Sequence, residues 1–240
     1  MNLHLVIGTP MYGGMCTSEY TQSLLNLSES ANKSDVKLTT IFLGNESLIQ
    51  RGRNTIAHHF MNLPDATHLL FIDADMKFRT EDVVRMIKAD KSFIVGPVAL
   101  KGYNWEEIRQ AAVNGEEDIN RTGGIFNINK LPGIDMVDEN EPFEIEHGGN
   151  AFMMLRRDVF ETLKPHTPIY TNGGRSLPDG VEIYDYFRVE INKDTNHLLS
   201  EDYFLCHSYR QLGGKVWCAP WVETGHFGSH LFNGKYSRNN

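Results

Sequence analysis

Apolar residues along this chain follow two rhythms: short unbroken runs, and longer stretches in which they return every third or fourth position. Unbroken runs suit strands buried on both faces, and the three-to-four spacing suits helices with one buried side. Leu3–Ile7 is the first run, ended by Gly8, Thr9 and Pro10; "MYGGMCTSEYTQSLLNLSES" then opens as a glycine loop and continues as a helix. "DVKLTTIFLGN" reads as a second strand, and "ESLIQRGRNTIAHHFMN" as a helix with Leu48, Ile49, Ile56, Ala57 and Phe60 for its inner face. His68–Ile72 is a third strand. Thr80 stands where a following helix needs a cap, with Glu81 and Asp82 in the first turn and Val83, Val84, Met86 and Ile87 on the apolar side. "SFIVGPVAL" makes a further strand. Such alternation predicts an α/β fold with a mostly parallel, Rossmann-like sheet flanked by helices and with ligand sites at the carboxyl ends of strands.

The pattern weakens from Asn114 to Glu146, an acidic stretch rich in Gly and Asn, where "GGIFNINKL" is the best strand candidate and hairpins and loops are expected. "HGGNAFMMLRRDVFETL" returns to a strand at Ala151–Leu155 and a short helix at Asp158–Leu163. "KPHTPIYTNGGRSLPDGVEIYDYF" reads as a lid or acceptor loop, because a structureless loop of that length inside a domain is usually functional or mobile. "SEDYFLCHSYRQLGG" is a helix capped by Ser200, with Glu201 and Asp202 in its first turn and Gly213 and Gly214 at its end. "KVWCAPWVETGHFG" closes the core as a strand running into His226. Neither a repeat nor a linker divides the 240 residues, so the expectation is one domain with a regular first half (1–113) and a smaller, hairpin- and loop-rich second half (114–240).

Composition narrows the function classes. With 40% hydrophobic and 22% charged residues the chain is an ordinary globular one. A net charge of −8 and a pI near 5.7 argue against a general nucleic-acid binder, which needs a clustered basic surface. Cys16, Cys206 and Cys218 are odd in number and lack Cys-x-x-Cys spacing, which points to a reducing, cytoplasmic setting and not to a disulfide framework or a zinc site. The opening apolar run has no basic region before it and is too short to span a bilayer, so it reads as neither signal nor transmembrane anchor.

The third strand ends on two carboxylates, Asp73 and Asp75, with only Ala74 between them. An apolar interior rejects unpaired charge, so both lie where the strand leaves the core and both require positive partners, yet no Lys or Arg stands between them. Alone, such a pair also describes a strand-end turn with Asp75 and Thr80 as turn and cap residues. Taken in order with "VIGTPMYGG", "RGRN", "GGNAFMMLRRDVF", "SEDYFLCHSYRQLGGKVW" and "GHFG", however, "FIDAD" resembles the corresponding part of GT-A-type, nucleotide-sugar-dependent glycosyltransferases. The resemblance covers nearly the whole chain, and the virus-type and Anp1-like glycosyltransferases are its nearest look. It implies a GT-A-like fold in which 1–113 binds nucleotide and 114–240 completes the acceptor and metal sites. Asp73 and Asp75 match the DxD motif, Glu201 and Asp202 the acidic catalytic position, and His226 a late metal-binding histidine. The implied activity is transfer of a sugar from a UDP- or GDP-sugar to a hydroxyl of a glycan or glycoprotein acceptor.

That chemistry builds negative charge on a departing diphosphate, which a divalent cation stabilises. Two carboxylates suit Mg²⁺, and a contribution from His226 favours Mn²⁺. Asp75 is the stronger expected metal ligand, with Asp73 reaching the ribose or the metal through water. Asp202, then Glu201, is expected as the base that accepts the acceptor's proton. Nucleotide contacts are expected from Thr9, Pro10, Met11 and Tyr12 at the first strand end and from Arg51 and Arg53, whose guanidinium groups can fork onto a phosphate. A packed tyrosine and solvated arginines are the plain alternatives. Gly149 and Asn150 suggest a sugar subsite, a strand-start bulge being the alternative, and Trp105 beside Tyr103 a sugar platform. His58 and His59 are adjacent on a helix and cannot chelate together. Two other functions are consistent with an α/β chain of this kind. A nucleotidyltransferase making a nucleotide sugar would want a basic residue in its first glycine loop, and "GTPMYGGMCTSEY" has none; an inactive sugar- or nucleotide-binding module is the other.

Overall fold

A computed structural model describes residues 3–34, 36–117, 119, 122–134, 137–173, 177–228 and 231–235. In chain order its elements are β1 (His4–Met11), α1 (Ser18–Lys33), β2 (Lys37–Gly44), α2 (Ile49–Met61), β3 (His68–Ile72), β4 (Met76–Lys77), α3 (Thr80–Lys88), β5 (Phe93–Val95), β6 (Ala99–Tyr103) and α4 (Trp105–Asn114). There follow β7 (Gly124–Phe126), β8 (Ile128–Lys130), β9 (Phe143–Gly148), β10 (Phe152–Arg156), α5 (Arg157–Leu163), β11 (Ile169–Thr171), β12 (Glu182–Tyr184), β13 (Glu190–Ile191), β14 (Leu198–Leu199), α6 (Glu201–Gln211), β15 (Val216–Cys218), β16 (Glu223–Phe227) and β17 (Leu231–Lys235).

The apolar run of β3 is continuous because both of its faces are covered. Leu69 and Phe71 point into one core with Ile56, Phe60, Val159, Phe160 and Leu205, contributed by α2, α5 and α6. Leu70 and Ile72 point the other way, into a second core with Tyr20, Leu27, Val83 and Met86 from α1 and α3. The result is the expected α/β fold, a sheet between two helical layers. Its order is β2-β1-β3-β10-β5-β15-β9-β8. β1 runs parallel to β2 and β3, and β5 parallel to β15, while β10 inserts antiparallel between β3 and β5 and β9 runs antiparallel to β15 and β8. All strands but β9 and β10 thus share one direction, and strands from both halves of the sequence share one sheet. Among the described residues no helix is long and apolar enough to cross a membrane.

Several boundaries differ from the sequence-based expectation. "SFIVGPVAL" is two strands, because Gly96–Val98 turns the chain out of the main sheet and β6 pairs with β7 instead. "KVWCAPWVETGHFG" likewise splits into β15 in the main sheet and β16, which pairs with β4 and β17. "GGIFNINKL" divides between β7 and β8, in different sheets. Leu48 and Ile49 lie exposed before the buried part of α2 begins. Thr80 is the first residue of α3 and makes no cap; Arg79 holds that position, its guanidinium forked onto Asp82 at 2.9 Å. The stretch 164–187 is not structureless. β11 and β12 form an antiparallel hairpin there, and Ile183, Tyr186 and Phe187 are core. Asn54 anchors it, donating to Asp185 Oδ1 at 2.7 Å and accepting from the Phe187 N–H at 2.9 Å, which is why the middle of α2 is buried nearly all round. Gly174, Arg175 and Ser176, in the middle of the expected lid, lie outside the described residues.

Candidate active site

The carboxyl end of β3 is tied down by the backbone of three other segments. The Asp73 N–H donates to the Ala151 carbonyl at 3.1 Å, the Ala74 carbonyl accepts from Thr17 at 2.9 Å, and the Asp75 carbonyl accepts from Phe227 at 2.8 Å. Met76 closes the turn onto the Asp73 carbonyl at 3.1 Å. Both carboxylates therefore start from a rigid base, the condition for preorganised electrostatics.

Each finds a different cation. Asp73 Oδ1 accepts from Arg53 Nη2 at 2.7 Å. Arg53 is 3% exposed, lies 5.1 Å over the Phe71 ring and leaves Nε and Nη1 buried with no hydrogen-bond partner. Asp75 Oδ2 meets Lys101 Nζ at 2.5 Å, and its Oδ1 lies 3.5 Å from His226 Nε2. Pairing of His226 with Met76 across β16 and β4 puts the imidazole there. Its Nδ1 lies 2.9 Å from the Ala99 carbonyl, an obligate acceptor, so Nδ1 carries a proton and Nε2 is the nitrogen turned to Asp75. Burial opposes charge on the ring, but the hydrogen bonds to Asp75 and Ala99 outweigh it and raise the His226 pKa. Asp75 is also desolvated, yet His226 and Lys101 together hold its pKa down to about 2.

Of the three expected metal ligands, the structure thus brings Asp75 and His226 together and turns Asp73 to Arg53. Among the described residues no three His, Cys, Asp or Glu side chains form a ready cation cage. The Asp75 and His226 donors nevertheless suit a hard cation that takes further oxygens from a ligand, since a metal-binding imidazole commonly donates its other N–H to a backbone carbonyl, as Nδ1 does here.

Glu201 and Asp202 part company. Asp202 is buried and occupied, its Oδ1 accepting from Ser200 Oγ and from the Tyr203 N–H at 2.8 Å. Ser200 holds the expected cap position, though its hydroxyl goes to Asp202 and not to a backbone N–H. Glu201 lies within reach of the charges of Arg53 and Asp73. Burial and then the Asp202 charge raise its pKa; Arg53 acts against them, and Asp73 adds to the rise. Asn150, buried and just before the Ala151 carbonyl that receives Asp73, has neither Oδ1 nor Nδ2 partnered. A Cβ at Gly149 would lie 2.7 Å from Asn127 Nδ2 and one at Gly148 2.6 Å from Val95 Cγ2, so these glycines admit the protein's own side chains.

On the other side of the aspartates a cavity of about 610 Å³ is lined by Pro10, Tyr12, Glu46, Ile49, Asp73 and Asp75 among others. Tyr12 is exposed, and Met11, at the strand end beside it, is half-buried. Thr9 is fully buried and its hydroxyl is 2.5 Å from Tyr20 Oη, so it supports β1 from inside and does not reach the cavity. Arg51 is forked onto Glu46 at 2.6 and 2.7 Å. A larger cleft of about 800 Å³ between α1 and α3 has mostly polar helix-surface side chains for walls and holds none of these strand-end groups, so it carries less chemical meaning. Trp105 is 70% exposed, with the Tyr103 ring 5.3 Å away. His58 and His59 are partly buried, with ring centres 6.0 Å apart. Lys101 had no signal in the sequence: it stands in an unremarkable strand, 26 positions from Asp75.

No family profile matches the chain, and no curated protein does. Among solved structures, A197 from STIV superposes with a TM-score of 0.50 at 12% identity, covering 97% of this chain and 94% of that one. The two share a fold. A glycosyltransferase involved in the glycosylation of the major capsid of PBCV-1 superposes at 0.34 and 9% identity over 68% of this chain and 64% of its own. Apo UDP-glucose pyrophosphorylase superposes at 0.42 and 10% over 91% and 90%. Likeness at such identity reaches the architecture only, so chemistry has to be argued from the site.

Proposed function

We propose that this chain is a metal-dependent glycosyltransferase of GT-A type, moving a sugar from a UDP- or GDP-sugar to a hydroxyl of a glycan or glycoprotein acceptor. One observation carries the reading: His226 Nε2 is aimed at the Asp75 carboxylate while Nδ1 keeps its proton on Ala99. In the free protein Asp75 favours a proton on Nε2; a divalent cation bound between the two would displace that proton and take Nε2 and the carboxylate as ligands. Asp75 and His226 would hold Mn²⁺, or Mg²⁺, whose bound charge offsets that of the leaving diphosphate.

The remaining roles fall to the chain's own side chains. The cavity beside Tyr12 takes the nucleotide, with Pro10 of the β1 end along its wall. Arg53 fixes Asp73 from inside the fold, and Asn150 supplies a donor and an acceptor to hydroxyls. Glu201 takes the base role ahead of Asp202, because Asp202 is committed to its own helix start while Glu201 has a raised pKa beside the site. Should the product retain configuration, Glu201 orients the acceptor instead.

A thermal-shift panel of nucleotide sugars with and without Mn²⁺ tests the reading; a ligand at a hundred times its Kd stabilises by about 2.7 kcal/mol. Metal-dependent release of nucleoside diphosphate from one donor supports transferase chemistry. Release of pyrophosphate from a nucleoside triphosphate and a sugar phosphate would replace it with nucleotidyl transfer.

A further inference from the structure

The two aspartates hold cations of opposite character. Arg53 is a buried planar fork that cannot leave Asp73 without exposing a hole in the core. Lys101 reaches Asp75 from β6 on a flexible stem, with its side chain 39% exposed and that of Asp75 34%. An ion pair this open to water is weakly held. β6 also supplies the Ala99 carbonyl that orients His226, two residues before Lys101, so one strand carries the ammonium that meets Asp75 and the carbonyl that aims the imidazole at it. Among the described residues, the Lys101 ammonium is the only Lys or Arg charge paired to Asp75, and it competes for the oxygens a divalent cation would need.

We propose that Lys101 is a diphosphate-positioning residue whose resting partner is Asp75: its ammonium occupies the carboxylate until a divalent cation takes Asp75, and then turns to the donor's diphosphate. This rests on the glycosyltransferase reading and adds to it a residue which that reading does not need. The exchange keeps the charge count of the site balanced: the free protein pairs one carboxylate with one ammonium, and the incoming diphosphate brings the negative charge that the displaced ammonium then meets.

The full chain and Lys101→Met, which keeps the stem and removes the charge, are compared with two probes: Mn²⁺ alone, followed by electron paramagnetic resonance, and UDP or GDP with saturating Mn²⁺, followed by calorimetry. Opposite shifts are expected. Free Mn²⁺ binds the variant several-fold more tightly because its competitor is gone, while the nucleoside diphosphate binds about tenfold more weakly, the size of one charge-assisted contact. Lys101→Arg, which restores a cation, should recover most of the diphosphate affinity. Mn²⁺ affinity that is unchanged or weaker in Lys101→Met, or diphosphate affinity within about twofold of wild type by the same scale, overturns the proposal. Wild-type protein that takes up neither UDP nor GDP with Mn²⁺ overturns the transferase reading, and this inference with it. A wild type that binds, beside a variant that binds equally, overturns this inference alone.

Discussion

Replacing Arg53 by Met tests whether the buried guanidinium is what positions Asp73. Three effects set the magnitude. Breaking a buried ion pair costs about 3–5 kcal/mol, and the lower end applies because the Asp73 side chain is 32% exposed and can rehydrate. Loss of the cation–π contact 5.1 Å above Phe71 adds about 1 kcal/mol, part of which a methionine sulfur regains against the same ring. Against these, Nε and Nη1 are buried without partners, and removing them relieves a desolvation cost of about 1–2 kcal/mol in total. The net loss is about 2 kcal/mol, or roughly 4–8 °C in melting temperature for a chain of this size.

Thermal melts of wild type, Arg53→Met, Asp73→Asn and the double variant give the coupling directly, and an interaction energy of about 1–2 kcal/mol is expected for residues in such contact. Donor binding supplies an independent arm. Asp73 is the exposed member of the pair, so if Arg53 positions it for the donor the stabilisation by nucleotide sugar and Mn²⁺ should shrink in Arg53→Met. Single-variant effects that simply add, together with an undiminished ligand shift, would refute the assignment of Arg53 to positioning Asp73.

Asp75→Asn should lower metal-dependent transfer by about 10²–10³-fold; full activity with Mn²⁺ would remove Asp75 from the metal site. Glu201→Gln should cost about 10²–10⁴ in rate if it is the base, and the wild-type rate should climb with pH along a limb above the ordinary glutamate range. The sign for stability is the reverse. A carboxyl with a raised folded pKa binds its proton more tightly when folded, so stability falls as pH rises from the unfolded to the folded pKa, and the Gln variant should gain on wild type through that window; a constant difference across pH would exclude the shift. Gly8→Ala should destabilise by about 1–3 kcal/mol, since the new Cβ would lie 2.4 Å from Ile56 Cγ2, and Ile56→Ala, which removes that methyl, should cost less in the Gly8→Ala background than in wild type.

The layered fold was legible where burial is two-sided. "HLLFI" shows no alternation because successive residues enter different cores, and that continuity is what marks an internal strand. Where the chain leaves one sheet for another, the composition stays apolar while the partner changes. β5 and β6, or β15 and β16, therefore read as single strands, and only the turns at Gly96–Val98 and Ala219–Val222 separate them. The 164–187 stretch misled for a related reason: its Pro and Gly residues signal turns, but the anchoring of Asp185 and Phe187 comes from Asn54, 131 and 133 positions away.

The same division runs through the site. That Asp73 and Asp75 need positive partners follows from the strand they end, a local fact; which partner each takes depends on pairings across the fold. Arg53 stands 20 positions from Asp73 and Lys101 stands 26 from Asp75, separations too alike to rank. The difference lies in where their elements run. α2 is wedged between the sheet and the 164–187 segment, so the cation it carries is walled in, whereas β6 has left the main sheet and carries its cation at the surface. Two carboxylates one residue apart, chemically identical, thereby become a walled-in group and a solvent-facing one, and in the proposed transfer the first would hold the sugar in one pose while the second changes partner as the charged donor arrives.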